Sequence, residues 1–191
     1  MKKMWLVFLC CVCSSGCAYV SYMHDPFVDI PAFAQVTDTI YRGGAPKPAG
    51  YERLQSLGIQ SILNLSQDTK QVGQEEPWAR ARGIEFYNIP IDLYVRPSDE
   101  QALRFLEIVL KTAKRPLFIH CEDGRDRTGT MVALYRVAAE GWTIKQAYTE
   151  ARKIGYWPYH GDEAPLKAFM HQLKDNPLYF KRAKELMNAE N

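Results

Sequence analysis

No stretch of this 191-residue chain constrains its fold more than Pro116-Leu117-Phe118-Ile119-His120-Cys121-Glu122-Asp123-Gly124-Arg125-Asp126-Arg127-Thr128-Gly129. Leu117 to Ile119 is a short apolar run behind a proline, the pattern of a buried strand, and the apolar spacing from Met131 to Val137 predicts a helix. A polar loop must therefore lie between the strand's end and the helix's start. Further strands are expected near 39–42, 59–65 and 85–90, with the strand just described near 116–120. They alternate with helical patterns near 47–57, 74–82, 98–113, 128–140 and 143–153. Two more helices are expected near 163–173 and 177–188, and Ser98, followed by Glu100 and Gln101, marks a helix start. This alternation predicts an α/β fold, a three-layer sandwich whose central, mostly parallel sheet is flanked by helices.

The loop residues suit one kind of ligand. At a helix N-terminus the backbone N–H groups lack partners and converge on an anion, helped by the partial positive charge of the helix dipole. A phosphoryl group set among Glu122, Asp123, Gly124, Arg125, Asp126, Arg127 and Thr128 would meet those amides, the planar guanidinium of Arg127 and the sulfur of Cys121. Gly124 allows the conformations a tight turn needs, and Gly129 allows close helix packing. A free thiol is only a few per cent thiolate at neutral pH, and a helix N-terminus with a nearby guanidinium favours the thiolate, which is the nucleophile. Thr128 is expected to donate a hydrogen bond to the sulfur, and His120 to orient the loop from behind.

His120-Cys121, five intervening residues, then Arg127-Thr128-Gly129 resembles the signature of the cysteine-dependent protein tyrosine phosphatase superfamily. The likeness extends through Ile40-Tyr41-Arg42-Gly43-Gly44-Ala45-Pro46, Ile59 to Leu65 and Ile89-Pro90-Ile91-Asp92, as in small dual-specificity, inositol-phosphate and cysteine-phytase members, and covers roughly residues 36 to 175. It implies phosphomonoester hydrolysis through a phosphocysteine, with no cofactor. Competing readings fit less well. No lysine stands where a nucleotide-type G-x-x-x-x-G-K-[ST] loop needs one, and a rhodanese-type sulfurtransferase matches the frame less closely. The histidines His24, His120, His160 and His171 lack metal-ligand spacing. A catalytically silent anion-binding module on the same loop is the rival from another class.

The departing oxygen needs a proton donor. Asp92, at the end of the strand Ile84 to Ile91, is the first candidate, since the resembling dual-specificity enzymes carry their acid at about this place. Asp126 is the second, with Asp123 beside it, because Cys121 to Arg127 reproduces the C-x-D-G-x-D-R pattern of myotubularin-like phosphatases, where loop aspartates are implicated in proton transfer. Asp99 reads as a first-turn helix residue. Arg125 and Arg96 are expected to meet secondary phosphates, which favours inositol polyphosphates or phosphoinositides over phosphotyrosine proteins as substrate. Tyr156, Trp157, Tyr159 and His160 form an aromatic loop that would line a rim or pack structurally.

The N-terminus reads as an export signal. Lys2 and Lys3 precede an apolar stretch from Met4 to Val12 that is too short to span a membrane, and Ser14-Ser15-Gly16-Cys17 resembles a bacterial lipoprotein cleavage box with Ser14 in the usual place of leucine. The expected organisation is a signal peptide over 1–16, a tether over 17–35 anchored through acylated Cys17, and a phosphatase domain over 36–191. Ala18 carries no inner-membrane retention cue, so the expected address is the outer membrane, facing the periplasm. With Cys10, Cys11 and Cys13 removed and Cys17 acylated, Cys121 is the one thiol left, and the fold must stand without disulfides. The leader carries two lysines and no acid, so its loss brings the 24 basic residues level with the 22 acidic ones. With basic residues dispersed rather than striped, nothing points to nucleic acid.

Overall fold

The computed structural model describes residues 29–157, 165–173 and 176–189. In chain order its elements are β1 (Ala34–Thr37), β2 (Ile40–Gly43), α1 (Pro48–Ser56), β3 (Ser61–Asn64), α2 (Thr69–Arg80), β4 (Glu85–Asn88), α3 (Asp99–Glu107), β5 (Leu117–His120), α4 (Asp126–Ala138), α5 (Ile144–Lys153), α6 (Pro165–Gln172) and α7 (Pro177–Asn188). The expected leader, Cys17, the first part of the tether, Tyr159 and His160 lie outside the described residues.

The strands form one sheet in the order β1-β2-β5-β3-β4, parallel throughout except for β1, which runs antiparallel to β2. β5 sits at the centre with every residue buried, as an uninterrupted apolar run requires when helices cover both faces. Alternation along β5 builds the two cores. Leu117, Ile119 and Cys121 face the larger one with residues of α3, α4, α6 and α7, whereas Phe118 faces the smaller one with Ile30, Leu54, Ile62 and Ala79. The architecture is therefore the α/β three-layer sandwich, and the C-terminal ends of β2, β5 and β3 meet at one edge. That edge is where open parallel sheets collect ligand-binding loops.

The structure departs from expectation in several places. The strand β1 was not anticipated, because Ala34–Thr37 offers only Val36 to the core and pairs only with β2 at the sheet's edge. The packed domain also begins ahead of residue 36: Ile30 is fully buried, and Pro31 accepts the Gly44 N–H through its carbonyl oxygen at 2.7 Å, so residues 29–35 belong to the domain rather than to a tether. The helix expected over 74–82 starts earlier, at Thr69, capped by the Asp68 carboxylate, which accepts from Lys70 N and Gln71 N. The long helix expected over 98–113 opens at the anticipated Ser98, which forms a capping box with Gln101, then loosens into a π turn over Ile108–Thr112.

Candidate active site

β5 ends at His120 and α4 begins at Asp126, so Cys121 to Arg125 make the connecting loop. Its turn depends on Gly124, which has φ of +73°. A Cβ there would also stand 2.2 Å from Gly43 C and 2.3 Å from Gly44 N, so the backbone of the β2 exit packs directly on the loop. Gly44 is equally constrained, since its Cβ would lie 2.7 Å from Glu122 O.

Three loop carbonyls are gripped from behind. Cys121 O lies 3.1 Å from His120 Nδ1, Glu122 O accepts Ala45 N–H at 2.8 Å, and Gly124 O accepts a hydrogen bond from Arg42 Nη2 at 2.8 Å. In a planar trans peptide the N–H points opposite to the C=O. The N–H groups of Glu122, Asp123 and Arg125 are thereby turned away from these holders, toward the concave side of the loop. The helix N-terminus of α4 adds its own partial positive charge to that side.

Behind His120 lies a buried acid that sequence reasoning missed. His120 Nε2 is 2.9 Å from Glu75 Oε2, and both side chains are completely enclosed. Glu75 also accepts a hydrogen bond from Asn64 Nδ2 at 2.7 Å and one from Tyr51 OH at 3.5 Å. The Tyr51 hydroxyl is pushed well above its ordinary pKa, by burial first and by the neighbouring carboxylate second. This network joins α1, α2, β3 and β5 to the Cys121 carbonyl.

Cys121 and Arg127 share a cleft of about 170 Å³ with Leu93, Tyr94, Glu122, Asp123 and Asp126. Arg127 is nearly buried, and its Nη2 stands 3.6 Å from the exposed Glu122 carboxylate, a solvent-screened pairing that an incoming phosphoryl group can replace. Asp126 Oδ1 accepts the Trp157 N–H at 2.8 Å. Burial raises the Asp126 pKa above the usual carboxylate value, against the opposing pull of that hydrogen bond and of Arg125 and Arg127. A nucleophilic sulfur, a guanidinium fork, inward amides and a carboxyl whose protonated form is favoured by burial, set around one cleft, are the parts of a phosphoryl-transfer centre.

Comparison with known proteins agrees. Residues 28–156 match the family described as DSP-PTPase phosphatase fused to NAD+ kinase. The chain belongs to this family of cysteine phosphatases. It is 30% identical over 170 residues to the inositol diphosphatase DSP4 of Arabidopsis thaliana, covering 85% of this chain and 84% of that protein. It is 27% identical over 149 residues to the dual specificity protein phosphatase TpbA of Pseudomonas aeruginosa, covering 72% of this chain and 63% of TpbA. Among solved structures, the core catalytic domain of the PP-IP phosphatase SIW14 from S. cerevisiae superposes with a TM-score of 0.67 at 24% identity, over 82% of this chain and 94% of that one, showing the same fold. The protein is thus a cysteine-dependent phosphatase, a phosphoric monoester hydrolase.

Within this phosphatase several expected residues stand elsewhere than foreseen. Asp92 is half-buried and accepts the Tyr94 N–H at 2.7 Å, capping its own turn; the cleft is bordered by the next residues, Leu93 and Tyr94. Asp99 does sit in the first turn of α3, where it accepts from Tyr179 OH at 2.5 Å. Neither arginine expected to bind secondary phosphates borders the cleft. Arg96 lies 4.0 Å from Asp99 and over the Phe169 ring, and Arg125 pairs with Asp123 at 3.2 Å. Thr128 is fully enclosed and its Oγ1 finds no hydrogen-bond partner among the described residues, so the expected bond to the sulfur is not formed; α4 is buried around nearly its whole circumference and draws Thr128 into that packing. Of the aromatic loop, Tyr156 is core and Trp157 is exposed beside Asp126, its ring under the Arg152 guanidinium.

Proposed function

We propose that this phosphatase works through a phosphocysteine on Cys121, with Asp126 as proton donor, on phosphate esters of the inositol phosphate class. The observation that supports the chemistry is the shared cleft of Cys121, Arg127 and Asp126 at the end of β5. The Cys121 thiolate attacks phosphorus, and the ester P–O bond breaks as its oxygen takes the proton from Asp126. Arg127 and the loop amides hold the equatorial oxygens throughout. Asp126, now a carboxylate, takes a proton from water; the water oxygen attacks phosphorus, the S–P bond breaks, and inorganic phosphate and thiolate remain. Asp126 is preferred to Asp92 because it borders the cleft and burial favours its protonated form. The substrate class is supported by the near full-length likeness to an inositol diphosphatase.

Two measurements test this. Cys121→Ser should abolish turnover while retaining oxyanion binding, and residual wild-type-like turnover would exclude the covalent route. Asp126→Asn should slow alkyl phosphates far more than aryl phosphates with good leaving groups, whereas the same dependence in Asp92→Asn would move the acid to Asp92. A panel of inositol phosphates, phosphoinositides and phosphotyrosine peptides decides the substrate, and preference for the peptides would overturn the inositol assignment. The proposed address is the outer membrane through acylated Cys17. It predicts fatty-acid labelling and membrane fractionation that Cys17→Ala abolishes.

A further inference from the structure

Arg42 is paired in register with Ile119 across β2 and β5, so it extends toward the α4 side of the sheet, beneath the catalytic loop. It is 1% exposed. Nη2 donates to Gly124 O at 2.8 Å, whereas Nε and Nη1 find no hydrogen-bond partner among the described residues. Burial pulls its pKa down to about 10, against the opposing pull of Glu150 and Cys121, which leaves it a cation at neutral pH. Enclosing a guanidinium with unused donors costs stability that an apolar side chain of similar length would not. What this side chain does accomplish is to fix one peptide. Gly124 sits at positive φ against Gly43 and Gly44, so the Gly124–Arg125 peptide has no other carbonyl anchor among the hydrogen bonds of this loop.

We propose that Arg42 is a positioning residue for phosphoryl transfer: by holding the Gly124 carbonyl behind the loop, it turns the Arg125 N–H onto the oxygens of the transferring phosphoryl group. This rests on the reading that Cys121 to Arg127 cradle that group. Arg127 and Arg42 then divide the work. The first touches substrate, and the second never does. The Glu122 and Asp123 amides have separate anchors, His120 and Ala45, so removing Arg42 should release one amide of the three.

The test follows backbone amide NMR shifts while sodium tungstate, a non-hydrolysable oxyanion, is added to the full-length protein, alongside kcat and KM for an aryl phosphate. In the wild type the Glu122, Asp123 and Arg125 amides should all move on tungstate binding. In Arg42→Met the Arg125 response should collapse while the other two persist, with kcat down about 100-fold, the scale of losing one preorganised oxyanion donor, and KM changed only a few-fold. Arg42→Lys and Arg42→Gln, which keep a donor on a shorter or neutral side chain, should fall between, and in every variant that folds kcat should decline in step with the Arg125 response. Loss of kcat with that response intact, or collapse of all three responses together with a lowered melting temperature, overturns the positioning role. A wild type whose loop amides ignore tungstate would instead remove the phosphoryl-cradle reading itself.

Discussion

At the first turn of α4, Asp126 experiences two opposed influences: the helix N-terminus favours an anion, yet burial wins and lifts its pKa. A carboxyl whose pKa is raised on folding stabilises the fold fully below its unfolded value, about 3.9, and loses that contribution as pH rises through its folded value. Asp126→Asn, which keeps an acceptor for the Trp157 N–H, should therefore melt above the wild type at pH 7, with the gap closing by about pH 4. Thermal melts across that range check the sign, and a gap widening toward acid would contradict it. Glu75 is a buried acid held by three partners, His120, Asn64 and Tyr51. Glu75→Ala strands His120 and Asn64 and should cost roughly 3 kcal/mol of unfolding free energy, read from urea titration. Cys121 and Arg127 could be picked out beforehand because the strand, loop and helix around them are neighbours in the chain, whereas for the acid the sequence offered Asp92 first and Asp126 second, and only the fold shows that Asp126 borders the cleft. Glu75 and Arg42 could not, since a glutamate in Gln74-Glu75-Glu76 looks like a solvated helix face and an arginine after Tyr41 looks like surface. Only the packing of α2 and β2 on β5 takes them inside.

Helix ends with local chemistry were the readable elements: the Ser98–Gln101 box opens α3, and Thr143 with Gln146 forms the same device at α5. Where the start depended on overriding local preference, expectation fell short. α2 contains both Gly73 and Pro77, residues that weaken helical propensity, and is held in place by its buried Glu75 and Ala79. Elements distant in sequence are tied by Arg136 of α4. Its guanidinium reaches Glu140 at 2.7 Å, Glu150 of α5 at 2.6 Å and Val36 O of β1 at 2.9 Å, and covers the Trp142 ring. Arg136→Met keeps the bulk and removes all of these bonds, leaving two half-exposed carboxylates that water can reclaim. The expected loss is about 2 kcal/mol, seen as a lower urea midpoint with an unchanged slope.

For the molecule as a whole, the sheet order places β2, near the start of the domain, directly beside β5, near its middle. Gly124 and Arg42 are 82 residues apart in sequence yet hydrogen-bonded, and the Gly43–Gly44 backbone supplies the surface against which the loop is moulded. The stretch from Cys121 to Arg127 thus contains the reacting groups but not the instructions for its own shape. Contacts of such long sequence separation form late and slowly, because the intervening chain must first be closed. During refolding from urea, the return of turnover should accordingly coincide with the final global phase and lag behind the recovery of helical signal; turnover returning ahead of the sheet would show the loop to be self-sufficient. Partly folded chains would then be catalytically mute, so that the enzyme acquires its reactivity only once the architecture that restrains it is complete.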